Sequence, residues 1–286
     1  MANQINPFTY GRIEFEDKPV IYMPDDMIEW VSSKPYFFMG PRGSGKSARL
    51  KALSWEVTWK NSNIELKGSN KIQRLRENPT YLGVYYRIED MEPSYWDLWR
   101  VRNSIDAAQQ YFGTYINFLY LDLFLNAINS IRKIDYNLFS NSTAEHEVVN
   151  DVLNEMYPNE KRRPKLADMS YRALREIVLL NHIGIRNLIF QNATETEIRE
   201  TYPVSGPGTL IQAFGEALLK YYKELSGWNF MVLIDDCNIL KEWQAIVINT
   251  AVAKARIPIS YKLTSDENLY PTRRTLNEER TIVEHD

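Results

Sequence analysis

A chain of 286 residues, 44% of them hydrophobic and 25% charged, is ordinary globular material and excludes disorder throughout; it suffices for one large or two modest domains. Its formal net charge of −3 gives no global attraction to nucleic acid, so such a partner would need a local basic surface. One cysteine, Cys237, and three scattered histidines exclude a Cys/His zinc site and an internal disulfide, and point to a reducing, cytoplasmic setting. No run approaches the ~18 apolar residues of a membrane span, and the amino terminus shows neither a basic nor an apolar signal region, so neither a membrane nor export is expected.

Residues 1–34 mix prolines, acids and aromatics without a period and read as an arm, with a short helix over 24–32 begun by Pro24-Asp25-Asp26. Tyr36 to Met39 is a continuous apolar run, the pattern of a strand buried on both faces. Directly after it, GPRGSGKS at 40–47 fits G-x-x-x-x-G-K-[ST], the Walker A pattern, and Leu50, Leu53 and Val57 follow at helical spacing. Strand, glycine-rich turn and helix together form a phosphate cradle. Gly40, Gly43 and Gly45 let the backbone turn and approach an anion, with Pro41, Arg42, Ser44 and Ala48 completing the loop; Lys46 reaches the β- and γ-phosphates and the Ser47 hydroxyl ligates Mg²⁺.

YLGVYYRI at 81–88 predicts the second strand, and the aromatic stretch from Ser94 to about Lys133 predicts a core-facing helix, with Phe118, Leu121, Phe124, Leu125 and Ile128 on one stripe. Residues 35–133 thus make the first half of an α/β core. Residues 134–205 read as a helical insertion, with Ser142 and Glu145 forming a capping box for a helix over 143–157. The basic knot Lys161-Arg162-Arg163-Pro164-Lys165 reads as a solvated loop in preference to a nucleic-acid contact. The turn-rich TYPVSGPGT at 201–209 marks an internal boundary, and 206–286 forms the second half of the core: a helix from Leu210 to Leu225, the apolar strand FMVLI at 230–234, a helix over about 240–255 and the strand ISYKL at 259–263. Alternating strands and helices predict a parallel sheet flanked by helices.

Asp235 and Asp236 directly follow FMVLI, a Walker B arrangement in which a buried strand delivers carboxylates at its C-terminal end, where open α/β sheets bind ligands. Asp235 is the candidate Mg²⁺ ligand; Asp236 is the candidate base or water-orienting group, or alternatively a helix cap. Thr264 and Ser265, just past the next strand, are either γ-phosphate sensors or turn hydroxyls.

The ordered set GPRGSGKS, FMVLIDD and ISYKLTSD, with the Asn6-Pro7-Phe8 start, resembles the AAA+ ATPases of the origin-recognition and initiator clade and the related STAND NTPases. The resemblance implies a P-loop sheet of order 5-1-4-3-2, ATP with Mg²⁺, and catalytic roles for Lys46, Asp235, Asp236 and Thr264. This chain departs from the pattern in carrying Asp236 where AAA+ enzymes usually carry Glu. Asp235 also lies 189 positions after Lys46 (235 − 46), hence the assignment of 134–205 as inserted. The chain ends about where a fifth strand would begin, so a complete C-terminal lid domain is not expected. The implied function is a slow ATPase switch in a homo- or hetero-oligomer with an effector or sensor subunit, in a bacterial defence or mobile-element setting, with nucleic acid open as a partner. A nucleotide-binding scaffold without turnover and a nucleotide kinase are the alternatives. Arg273, Arg274 and Arg280 are either fingers for a neighbouring subunit or a solvated charge cluster.

Overall fold

A computed structural model describes residues 20–59, 65–70, 77–166, 168–266, 268–277 and 281–282. The Asn6-Pro7-Phe8 start and Arg280 lie outside these residues.

Four strands form the central sheet: β2 (Tyr36–Gly40), β4 (Tyr81–Arg87), β5 (Asn229–Asp235) and β6 (Ile259–Asp266). A small parallel pair, β1 (Val20–Tyr22) with β3 (Glu65–Lys67), stands apart. The main sheet is parallel throughout and runs β2-β6-β5-β4. That is the 1-4-3-2 portion of the expected order; the fifth strand of the expectation is not found among the described residues. β2 is therefore an edge of the described sheet, and its Tyr36 to Met39 are half-buried, not buried on both faces as the apolar run suggested.

Alternation along the strands builds the core on two sides, because successive side chains of a strand point to opposite faces. Phe230, Val232 and Ile234 join the larger core, while Met231 and Leu233 face a smaller one with Leu50, Leu53 and Trp30. The smaller side is covered by α1 (Met27–Trp30), shorter than the predicted 24–32 helix, and by α2 (Lys46–Ala52). The helix predicted after the glycine loop is in fact two: α2 ends at Ala52, capped by Leu53, and α3 (Trp55–Thr58) restarts after Ser54.

The predicted 94–133 helix is likewise two, α4 (Pro93–Arg102) and α5 (Ile105–Ile131). Ser104 accepts from the Ala107 amide as an N-cap and so starts a new helix within the aromatic run. α5 is buried nearly all round and is the axis of the larger core. Packed with it are α6 (Ser142–Met156), α7 (Tyr171–Phe190), α8 (Glu195–Thr201), α9 (Thr209–Tyr221) and α10 (Glu242–Lys254), so that Val148, Tyr171 and Ile185 share one core with Val84 and Val232. The predicted capping box of α6 is replaced. Asn141 caps the helix through the Thr143 and Ala144 amides, and Glu145 turns inward to accept from Arg132 and the Tyr171 amide.

Two polar residues dock loops onto this frame. Asn117 of α5 donates to the Ser205 hydroxyl and the Gly206 carbonyl and accepts from the Gly208 amide, tying the 201–209 turn to the core. Lys262 of β6, fully buried, donates to the Ser32 and Lys34 carbonyls and fixes the entry to β2; burial lowers its pKa to about 7.

Candidate nucleotide site

The glycine loop joins the C-terminal end of β2 to α2. Gly43 and Gly45 have φ of 86° and 82°, a left-handed backbone that a side chain would strain, and Ser44 closes a turn on the Pro41 carbonyl at 3.2 Å. Pro41, Arg42, Gly43, Ser44 and Ser47 are exposed, with Gly45, Lys46 and Ala48 half-buried, so the loop offers its surface to a ligand. Lys46 Nζ folds over the loop and donates to the carbonyls of Gly40 at 2.6 Å and Pro41 at 2.9 Å, and to Asp266 Oδ1 at 3.2 Å.

β5 brings Asp235 to the same C-terminal end of the sheet. This carboxylate is 1% exposed and engaged on both oxygens. Oδ1 accepts from Ser47 Oγ at 3.1 Å, from the Asp236 amide at 3.1 Å and from the Thr264 hydroxyl, and Oδ2 accepts from Tyr85 OH at 2.6 Å. The Ser47–Asp235 contact joins residues 188 positions apart. Thr264 is spent inside this cluster, donating to Asp235 while accepting from the Asp236 amide, and is 1% exposed. Ser265 is also buried and donates to the Asp266 carbonyl.

Asp236 takes a left-handed backbone, φ 60°, at the start of a short 3₁₀ turn, and its side chain makes no capping hydrogen bond. The helix-cap alternative is therefore not realised. Its Oδ2 instead accepts from Arg87 at the end of β4, at 3.2 Å, and Arg87 also binds Glu89 at 2.7 Å. Partial burial and the neighbouring Asp235 charge raise the Asp236 pKa above the ordinary aspartate value, against the lowering pull of Arg87.

Tyr85, Arg87 and Asp266 escaped the sequence reading. Tyr85 and Arg87 stand in a strand recognised only for its β-formers, and Asp266 is the last letter of the ISYKLTSD segment of which only the hydroxyls were singled out. The register Gly40↔Asp266 and Arg87↔Asp235 places all three at the C-terminal end of the sheet.

Ser47 and Asp235 supply adjacent oxygens, the donor type Mg²⁺ prefers. No group of three or more His, Cys, Asp or Glu residues able to hold a metal occurs among the described residues. The pair thus fits a cation that keeps phosphate and water ligands, as Mg²⁺ usually does.

A parallel sheet with a glycine loop at the end of one strand and carboxylates at the end of another is the architecture of the P-loop NTPase fold. The sequence profile of the ORC-CDC6-like family matches residues 20–286, and the chain belongs to that family. Neither curated proteins nor solved structures give a match to the chain. Among the described residues no helix is long and apolar enough to cross a membrane.

Proposed function

We propose that the protein is a slow ATPase switch that works within a larger assembly. The observation that carries this reading is the Ser47 hydroxyl on the Asp235 carboxylate, which unites the glycine loop with the end of β5. In this reading Lys46 binds the β- and γ-phosphates and Ser47 and Asp235 hold Mg²⁺. Held there by Ser47 and Asp235, Mg²⁺ would supply positive charge against the phosphates. Asp236, one residue further, orients or deprotonates the attacking water, and Arg87 governs whether its carboxylate is free to do so. Asp is one methylene shorter than the usual Glu, which limits its reach and suits slow turnover. Thr264 acts by positioning Asp235, since its hydroxyl already donates to that carboxylate.

A switch needs an element that both nucleotide states bias differently. The segment from Asp235 to Ile239 meets this need, because Arg87, Thr264 and the phosphate end of the site all converge on it. We further propose that its movement is read by another subunit, of the same or a different chain, in a bacterial defence or mobile-element complex in the cytoplasm, with nucleic acid as a further contact. A scaffold without turnover is the second reading, favoured by the Arg87–Asp236 pair, which occupies the water-activating carboxylate.

Calorimetry with Mg-ATP tests the shared premise. Lys46→Ala should weaken binding by on the order of 100-fold or more, the loss of a partly desolvated charge pair, without unfolding the protein. Equal affinity in wild type and variant would sink the proposal. Single-turnover hydrolysis against retention of intact ATP then separates switch from scaffold.

A further inference from the structure

We propose that Asp266 determines which nucleotide the site prefers: it pairs with Lys46 where a γ-phosphate would otherwise do so, and so weights the site toward nucleoside diphosphate over triphosphate. The inference rests on the reading of Lys46 as the phosphate ligand.

An ammonium has three N–H donors. All three of Lys46 are committed, to Gly40 O, Pro41 O and Asp266 Oδ1. Two of these acceptors belong to the loop's own backbone and are neutral. Asp266 is different in kind, an anion delivered from the neighbouring strand, where the Gly40↔Asp266 register of β2 and β6 sets it beside the loop. Its side chain is 34% exposed against 13% for Lys46, so the carboxylate is the more solvent-facing member of the pair. Asp235 does not take this part: its oxygens meet Ser47, Thr264, Tyr85 and the Asp236 amide, while the ammonium meets Asp266.

A triphosphate brings its terminal phosphate to the same ammonium. The carboxylate must then yield its place or remain as a like charge beside the phosphate, and either is unfavourable in a site where water is partly excluded. A diphosphate ends one group earlier, and the Lys46–Asp266 pair can persist next to it. The penalty therefore falls more heavily on ATP than on ADP, which would leave the site in its diphosphate form unless magnesium or a neighbouring subunit offsets the charge.

Asp266→Asn keeps the side chain's size and removes its charge. Calorimetry of wild type and variant with Mg-ATP and with Mg-ADP should show ATP affinity rising at least ~10-fold, as expected for removing one close like charge, with ADP changing by less than about threefold. Thermal unfolding of the ligand-free proteins establishes that both are folded; if the Asn variant is not, Asp266→Ser reads the same ratio. Equal change for the two nucleotides, no change, or weaker ATP binding would overturn the proposal while leaving the phosphate-site reading intact. Failure of both wild type and variant to bind either nucleotide would overturn the two together.

Discussion

Asp236 concentrates the chemistry that a single residue can carry here. The left-handed backbone, which aspartate tolerates better than most residues, turns its side chain toward Arg87. If it activates water, Asp236→Asn should keep ATP affinity and slow single-turnover hydrolysis by at least ~100-fold, the lower range for a general base. The base works only when deprotonated, and burial with the Asp235 charge raises its pKa. Wild-type hydrolysis should therefore fall, as pH is lowered, at a higher pH than an ordinary aspartate with a value of 3.8 would give. Arg87→Ala removes a lowering influence and should move that fall to still higher pH, while the Asn variant should lack it. Unchanged turnover in Asp236→Asn would put the scaffold reading ahead.

Among the elements, the α2–α3 break is the part of the glycine-loop helix that lies hard against the sheet. Gly83 of β4 makes room for it: a Cβ there would lie 2.3 Å from the Leu53 carbonyl and 3.0 Å from a Leu233 methyl. Backbone cannot retreat cheaply from such a contact. Gly83→Ala should cost ~1–3 kcal/mol, the usual range for overpacking a dense core, seen as a lower urea midpoint with unchanged slope. Because α2 carries Lys46 and Ser47, the same variant should also weaken ATP binding. Full stability in the variant would mean that the two layers are not held as closely as the Gly83–Leu53 contact indicates. No such crowding surrounds Gly43 or Gly45, whose role is conformational.

At the scale of the whole molecule the open matter is whether one chain completes its own site. Past β6 the chain folds back: Tyr270 stacks edge-on against Phe37 at 5.6 Å, Asn249 of α10 donates to the Thr272 and Arg274 carbonyls, and the Leu276 amide donates to Thr250. Arg274 reaches Glu242 at 3.6 Å, an exposed pair of the kind that contributes little to stability. Arg273 and Arg274 thus ride on an exposed segment docked to α10, on a face that a neighbouring subunit can approach. If it is, hydrolysis per subunit should rise with protein concentration, and Arg273→Ala or Arg274→Ala should abolish the rise with ATP affinity nearly unchanged; such fingers contribute ~10³ to 10⁵ in rate. Constant specific activity with a monomeric mass across the range would exclude completion in trans.

Local chemistry was enough for the glycine turn after β2, the place of the Asp235–Asp236 pair at the end of a buried strand, the four parallel strands and the α/β class. Glycine at 43 and 45 follows from backbone sterics, and a continuous apolar run before a carboxylate follows from burying a strand while exposing its end. The helix breaks at 103–104 and 53–54 were less legible, since aromatic and aliphatic residues continue on both sides of them. Ser142 and Glu145 satisfied a capping pattern, yet Asn141 caps the helix because Glu145 finds Arg132 and the Tyr171 amide, partners that exist only after α7 has packed. The register of β2, β6, β5 and β4 was beyond any local signal. It decides that Tyr85, Arg87 and Asp266 meet at the site and that Thr264 is turned onto Asp235. One step of slippage in a strand sends every side chain to the opposite face. Such a choice is made by the whole sheet and its two cores, and no single segment of the sequence contains it.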